Sequence, residues 1–371
     1  MNLHSEFTHR GLSEVHLSLY SWLAPSLACF AAAIAFTAPH ALAQTPALGT
    51  REVPARTLPV PDTVSPQMQK LIAEPLTPTW NVIPKTTEEW KAQVNAGAAA
   101  AMRGLPERRA ALRVKVEPII IDGVKAHMVT PEAIPPENQN RLLVHLHGGC
   151  FVSFPGESGT GEAIFMAGFG RFKVISVDYR MPPDHPYPAA LDDAMTVWKA
   201  ATKMAAPRNM AIFGTSAGGN LTLAMILRAK QDNLPLPGAI APGTPMSDLT
   251  NAGDSFHTNA MLDNVLVAPG ASCDKRAALY TSGRDLKDPM LSPVYGDMRG
   301  FPPAILTTGT RDLLLSSTVR VHRKLRQAGV EAVLQVFEGQ SHAHYNRDAG
   351  APETKEAFDE IARFFDKHLG K

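Results

Sequence analysis

The sequence predicts an α/β protein built on a mostly parallel sheet with helices on both faces. Three observations predict it. Short apolar runs alternate with segments of helical spacing from about residue 114 to the end. The first two apolar runs flank Asp122-Gly123, a strong hairpin signal. Later, an apolar run leads into Gly214-Thr215-Ser216-Ala217-Gly218-Gly219 and then a helix-patterned stretch. Strands separated by helices call for parallel pairing.

In chain order, the predicted strands are 114–121, 124–129, 142–146, 173–177, 209–213, 238–241, 303–308 and 332–337. Between them, 189–201 follows two prolines as a helix, and LTLAMILRAK ends on Arg228 and Lys230, where cations suit a helix C-terminus. The segment 318–328 reads as a helix stopped by Gly329, and 353–369 as the last helix. Before the strands, Ser65-Pro66 opens a short amphipathic stretch, and Thr86 with Glu89 forms a capping box for a helix over 86–101. Residues 243–300 show no clear period and are rich in Gly, Asp, Ser and Pro.

The chain has 371 residues, enough for one large α/β core. Lys and Arg number 36 against 35 Asp and Glu, a balance that argues against nucleic acid or an anionic membrane surface as partner. Arg10 precedes a mostly apolar run broken by Pro25, and Ala41-Leu42-Ala43 follows. That pattern reads as a secretory signal over 1–43, cleaved near Ala43, so the expected compartment is the periplasm or the medium. Residues 44–110 read as an extended lead-in followed by a lid or cap segment, and 111–371 as the catalytic domain with a cap insertion at about 243–300. Outside the leader only Cys150 and Cys273 remain. An oxidising compartment permits a bridge between them, but the sequence does not establish one. No Cys-x-x-Cys or His-rich spacing points to a metal.

The Gly-x-Ser-x-Gly turn carries the chemistry. A serine in a tight strand-to-helix turn is presented on a strained backbone, exposed, with the next helix aiming its first amides at developing negative charge. A serine hydroxyl needs a base and a group that orients the base. At the carboxyl ends of late strands stand Asp312, in Gly309-Thr310-Arg311-Asp312, and His342, in Gly339-Gln340-Ser341-His342. His344, two residues on, is a rival for the base. His147-Gly148-Gly149-Cys150, after an early strand, supplies a loop whose amides could hold an oxyanion, and the amide of Ala217 adds another donor.

HLHGGCFV, DYRMPPDHPYPAALDDA, GTSAGGN, GTRDLLL and FEGQSHAH, in that order over about 110–370, resemble the bacterial esterases of the hormone-sensitive lipase family. The resemblance implies an α/β-hydrolase fold with a mainly helical cap and carboxylic-ester hydrolysis without a cofactor. It implies Ser216 as nucleophile, Asp312 as orienting acid and His342 as base, with Gly148, Gly149, Cys150 and Ala217 around the oxyanion. The chain departs from the family at four positions: Cys150 replaces the loop's third glycine, Thr215 stands where many relatives have Asp, Ser316 replaces a second acidic residue, and His344 replaces a common Phe. A free thiol at Cys150 would narrow the acyl site. Short- to medium-chain acyl esters are the expected substrates. A lactone hydrolase or an N-acetyl deacetylase would use the same triad, and a non-catalytic ligand-binding protein is a remoter reading. The expected partner is a small ester, without nucleic acid or a stable membrane association, and a homodimer is left open.

Overall fold

Asp122 and Gly123 both take positive φ, 45° and 85°, and fold β1 (Val114–Ile121) back on β2 (Val124–Pro131) with Ile121 opposite Val124. That paired left-handed geometry is what a two-residue hairpin of matching twist needs. In this computed structural model, which describes Gly49 and residues 51–370, the hairpin begins an eight-stranded sheet. The remaining strands are β3 (Leu142–Leu146), β4 (Lys173–Val177), β5 (Met210–Thr215), β6 (Ala239–Gly243), β7 (Ala304–Gly309) and β8 (Ala332–Phe337). Their order is β1-β2-β4-β3-β5-β6-β7-β8. The two pairings of β2 are antiparallel, and every pairing from β4 to β8 is parallel. This is an α/β-hydrolase fold.

The chain divides into Met1–Thr57 and a compact unit Leu58–Lys371. Of the first, residues 51–57 are exposed and form no regular element. The expected secretory signal over 1–43 lies outside the described residues.

Ten helices are described: α1 (Pro66–Ala73), α2 (Thr87–Met102), α3 (Leu105–Leu112), α4 (Gly161–Gly170), α5 (Ala189–Ala201), α6 (Ala217–Gln231), α7 (Ser255–Thr258), α8 (Ser272–Thr281), α9 (Leu315–Gln327) and α10 (Pro352–His368). The strands sort their side chains by the two-residue period of a pleated sheet. Val144, Ile175, Ile212, Ile240 and Leu306 face a core shared with α5, α6 and α9. Their chain neighbours Leu143, Val174, Ala211, Phe213, Ala239 and Ile305 face a second core shared with α4 and α10. β3, β5, β6 and β7 are therefore buried along their whole length, because both faces are covered.

Four helices have no counterpart in the sequence reading, and α7 is a single turn of four residues. In α4 the run Ala163–Ala167 is wholly buried, so no polar face marks the helical period. In α3 only Leu105 is buried, so no apolar face exists. In α8 the buried positions Cys273, Ala277 and Tyr280 do follow helical spacing, but their apolar contrast is weak. The capping box at Thr86 forms by half. The Thr86 hydroxyl accepts from the Glu89 amide at 3.2 Å, whereas the Glu89 carboxylate turns to the Lys85 amide at 2.6 Å.

Phe358 of α10 lies in the second core against Phe165 and Tyr345 and has no exposed surface. Phe358→Ala is expected to lower the unfolding free energy by about 3–5 kcal/mol. Urea denaturation checks this; a loss near zero would show that the second core does not bear on stability.

Candidate active site

Ser216 sits between β5 and α6 with φ 64° and ψ −117°, a conformation that costs a non-glycine residue of order 1–3 kcal/mol. Its neighbours explain why it persists. A Cβ at Gly214 or Gly218 would run into the Leu146 carbonyl at the end of β3. A Cβ at Gly148 would lie 2.9 Å from the Thr215 carbonyl oxygen. The Ser216 amide donates to the Gly243 carbonyl at 2.9 Å, and the Ser216 carbonyl accepts from Asn220 and Met246. The turn is thus closed in by β3 and β6. One expectation needs correcting: Ser216 is not exposed at the surface but keeps 5% of its accessible area, on the floor of a cavity of about 800 Å³.

His342 reaches the same cavity from the loop after β8. Its Nδ1 donates to Oδ1 of Asp312, which follows β7, at 3.1 Å. The other oxygen of Asp312 accepts from Thr244 at 2.5 Å and Thr308 at 3.1 Å, and Oδ1 also accepts from the Leu314 amide at 2.8 Å. Asp312 is fully buried, so these donors replace the water that an ionised carboxylate would otherwise lose. Among the described residues neither the Ser216 hydroxyl nor His342 Nε2 makes a hydrogen bond, and both line the cavity. Hydrogen bonds of this kind are often long until substrate binds.

His344 has different surroundings from His342. It is fully buried, its Nδ1 accepts from the Ser341 amide, and its Nε2 donates to Asn264 at 3.0 Å. Burial pushes its pKa down to about 3. The intervening Ala343 has φ 58°, and that left-handed residue turns the two imidazoles apart.

Gly148, Gly149 and Cys150 line the cavity beside Ser216. Among the described residues their backbone amides, and that of Ala217 at the start of α6, meet no acceptor. Gly149 has φ 105°, open only to glycine without strain. His147 stacks on Tyr179 at 4.2 Å, its Nδ1 donates to the Gly148 carbonyl at 2.8 Å, and burial drives its pKa to about 3. It shapes the loop as a neutral ring. Cys150 carries no free thiol: it is bridged to Cys273 of α8, which settles a pairing that the sequence left open.

Several polar residues that hold the site escaped the sequence reading. Asp263 is fully buried; it accepts from the amides of Leu313 at 2.8 Å and His342 at 3.3 Å, and so ties together the two loops that carry Asp312 and His342. Burial, and next the charge of Asp312, push its carboxyl above its ordinary range. Next to Ser216, Glu162 of α4 accepts from the Thr215 amide at 3.1 Å and its hydroxyl at 2.7 Å. The Tyr345 hydroxyl in turn donates to Thr215. A carboxylate on α4 thus already occupies the place beside residue 215, and an Asp there would meet like charge. Among the described residues no group of three or more His, Cys, Asp or Glu is placed to hold a metal, and no helix is long and apolar enough to cross a membrane.

A family profile of the alpha/beta hydrolase fold matches residues 143–346. An esterase from Acinetobacter venetianus is 32% identical over 254 residues, spanning 68% of this chain and 82% of that protein. The crystal structure of esterase E25 superposes with a TM-score of 0.83 at 43% identity, covering 86% of this chain and 99% of its own. That of an esterase from the bacterial hormone-sensitive lipase family superposes with a TM-score of 0.65 at 25% identity, covering 78% of this chain and all of its own. With the nucleophile turn, the glycine loop and the late Asp and His gathered at one end of the sheet, the chain belongs to the α/β-hydrolase fold family, in its hormone-sensitive lipase branch, and is a carboxylesterase-type hydrolase.

Proposed function

We propose that this enzyme hydrolyses short- to medium-chain acyl esters through a Ser216–His342–Asp312 triad. His342 Nε2 takes the proton of the Ser216 hydroxyl as its oxygen attacks the ester carbonyl. Asp312 holds Nδ1–H and stabilises the imidazolium that forms. The carbonyl oxygen becomes an anion facing the amides of Gly148, Gly149, Cys150 and Ala217. As the intermediate collapses, His342 returns the proton to the departing alcohol. A water then gives a proton to His342 and attacks the acyl-enzyme; as the acid leaves, His342 returns that proton to the Ser216 oxygen. The observation that carries this reading is the Asp312–His342 hydrogen bond opening on the cavity that holds Ser216.

The substrate class rests on the cavity. Leu71 of α1, Leu105 of α3 and Leu266, from the 243–300 stretch, supply its apolar walls. These segments act as the cap. About 800 Å³ suits a small ester rather than a long lipid chain. Export follows from the expected signal over 1–43 and is supported by the Cys150–Cys273 bridge, since such bridges persist in oxidising compartments.

Ser216→Ala and His342→Gln are each expected to lower kcat on p-nitrophenyl butyrate by about 10⁶-fold, and Asp312→Asn by about 10⁴-fold. His344→Gln, whose amide keeps a donor toward Asn264, is expected to stay within about tenfold of the parent, because a neutral structural imidazole takes no part in proton transfer. Steady-state kinetics decide: near-parental turnover in Ser216→Ala, or a larger loss at 344 than at 342, removes this assignment. Among p-nitrophenyl esters, acetate to octanoate should outrun palmitate. For export, the protein recovered from periplasm or medium should begin near Gln44; a cytoplasmic protein retaining Met1 would refute it.

A further inference from the structure

Three consecutive residues of the glycine loop, Gly149, Cys150 and Phe151, have φ of 105°, 55° and 64°. Two of them are not glycine, and each resists that conformation by about 1–2 kcal/mol. The loop's own bonds, from the amides of Val152 and Ser153 to the Gly149 carbonyl, close only the turn behind it. The restraint on Cys150 and Phe151 comes from α8. Cys273 is bridged to Cys150, with Cα atoms 5.5 Å apart. Tyr280 stacks on Phe151 with ring centroids 4.1 Å apart and planes within 3°. Cys273 and Tyr280 are seven residues apart, two helical turns, so one face of α8 grips two adjacent loop residues.

The helix is itself anchored away from the loop. The Ser272 amide donates to the Trp80 carbonyl at 2.8 Å, the Arg276 guanidinium donates to Gln93 of α2 at 3.0 Å, and the Tyr187 amide donates to the Tyr280 carbonyl at 2.9 Å. The Tyr280 hydroxyl is buried and, among the described residues, has no partner. Its ring is therefore what the site uses.

We propose that α8 is a positioning element for the oxyanion amides, acting through the Cys150–Cys273 bridge and the Tyr280 ring, so that catalytic power depends on the bridge being closed. The proposal rests on the oxyanion role given above to Gly148, Gly149 and Cys150. Ground-state substrate touches these amides weakly, whereas the tetrahedral anion needs them in register. Loosening the grip should therefore lower kcat and leave KM in place.

The test compares the parent with a Cys150→Ala/Cys273→Ala double variant, Tyr280→Leu and Tyr280→Phe. Each is assayed with p-nitrophenyl butyrate and with an alkyl trifluoromethyl ketone, which forms a hemiketal anion on the nucleophile. All are measured below their unfolding transitions. The double variant and Tyr280→Leu are expected to lose about 10–100-fold in kcat with KM within about threefold, and to bind the ketone more weakly by a matching factor, short of the roughly 10²–10³-fold cost of deleting one oxyanion donor outright. Tyr280→Phe should match the parent. A folded double variant, or Tyr280→Leu, with parental kcat and parental ketone affinity overturns the proposal. So does a rise in KM alone. Should the double variant not accumulate folded, Tyr280→Leu, which keeps the bridge, decides by itself. A parent that neither cleaves the ester nor binds the ketone would instead sink the hydrolytic reading, so the two failures are distinguishable.

Discussion

The site depends on a close approach of two backbones. The end of β3 and the turn after β5 meet with no side chain between them: the Leu146 carbonyl fills the space where Gly214 or Gly218 would carry a Cβ, and the Thr215 carbonyl does the same for Gly148. Two things follow. The loop after β3 begins beside the nucleophile, so its amides and the Ser216 hydroxyl face one volume. The turn also has no room to relax, so Ser216 stays at positive φ. Parallel pairing of β3 with β5 makes this inevitable, since both strands then release their loops at the same edge.

Around that contact the chain buries carboxylates and answers each with donors. Asp312 has Thr244, Thr308, the Leu314 amide and His342; Asp263 has four amides, those of Leu313, His342, Val265 and Leu266. Glu162 has Thr215 twice and His145 at 3.3 Å. An unpaired buried charge would cost several kcal/mol, so these networks are structural requirements before they are catalytic ones. They also divide the work. Asp312 faces His342 at 3.1 Å. Asp263 fixes where Asp312 and His342 stand. Glu162 and Tyr345 hold the residue before the nucleophile.

What was legible in the sequence was what local chemistry dictates. The hairpin at Asp122-Gly123, the strands with their apolar runs, and the Ser216 turn each announce themselves within a few residues. That Asp312 and His342 come to one end of the sheet could be read from their places after late strands. The hidden parts depend on tertiary contact. Asp263 and Glu162 are single acids in unremarkable stretches, and nothing short of the fold shows what amides they meet. Whether Cys150 and Cys273, 123 residues apart, form a bridge depends on α8, which the sequence concealed among small residues. That His342 turns to Asp312 while His344 turns to Asn264 accompanies one left-handed residue between them, Ala343, to which alanine gives no clue.

That left-handed residue belongs to a pattern. Cys150, Phe151 and Phe154 follow β3, Ser216 follows β5, Thr244 follows β6 and Ala343 follows β8, all with positive φ and none a glycine. At about 1–2 kcal/mol each, six such residues cost an amount comparable to the whole net stability of a domain, roughly 5–15 kcal/mol. These six, of fourteen such residues described, stand at the carboxyl edge of the sheet, in the loops that follow its strands. Their counterweight lies elsewhere, in two apolar layers with fully buried strands between them. Such backbones cannot be held on a marginal scaffold: the rigidity of the doubly covered sheet is what keeps these six from relaxing. Strands covered on both faces are therefore a condition of the chemistry as well as of the fold.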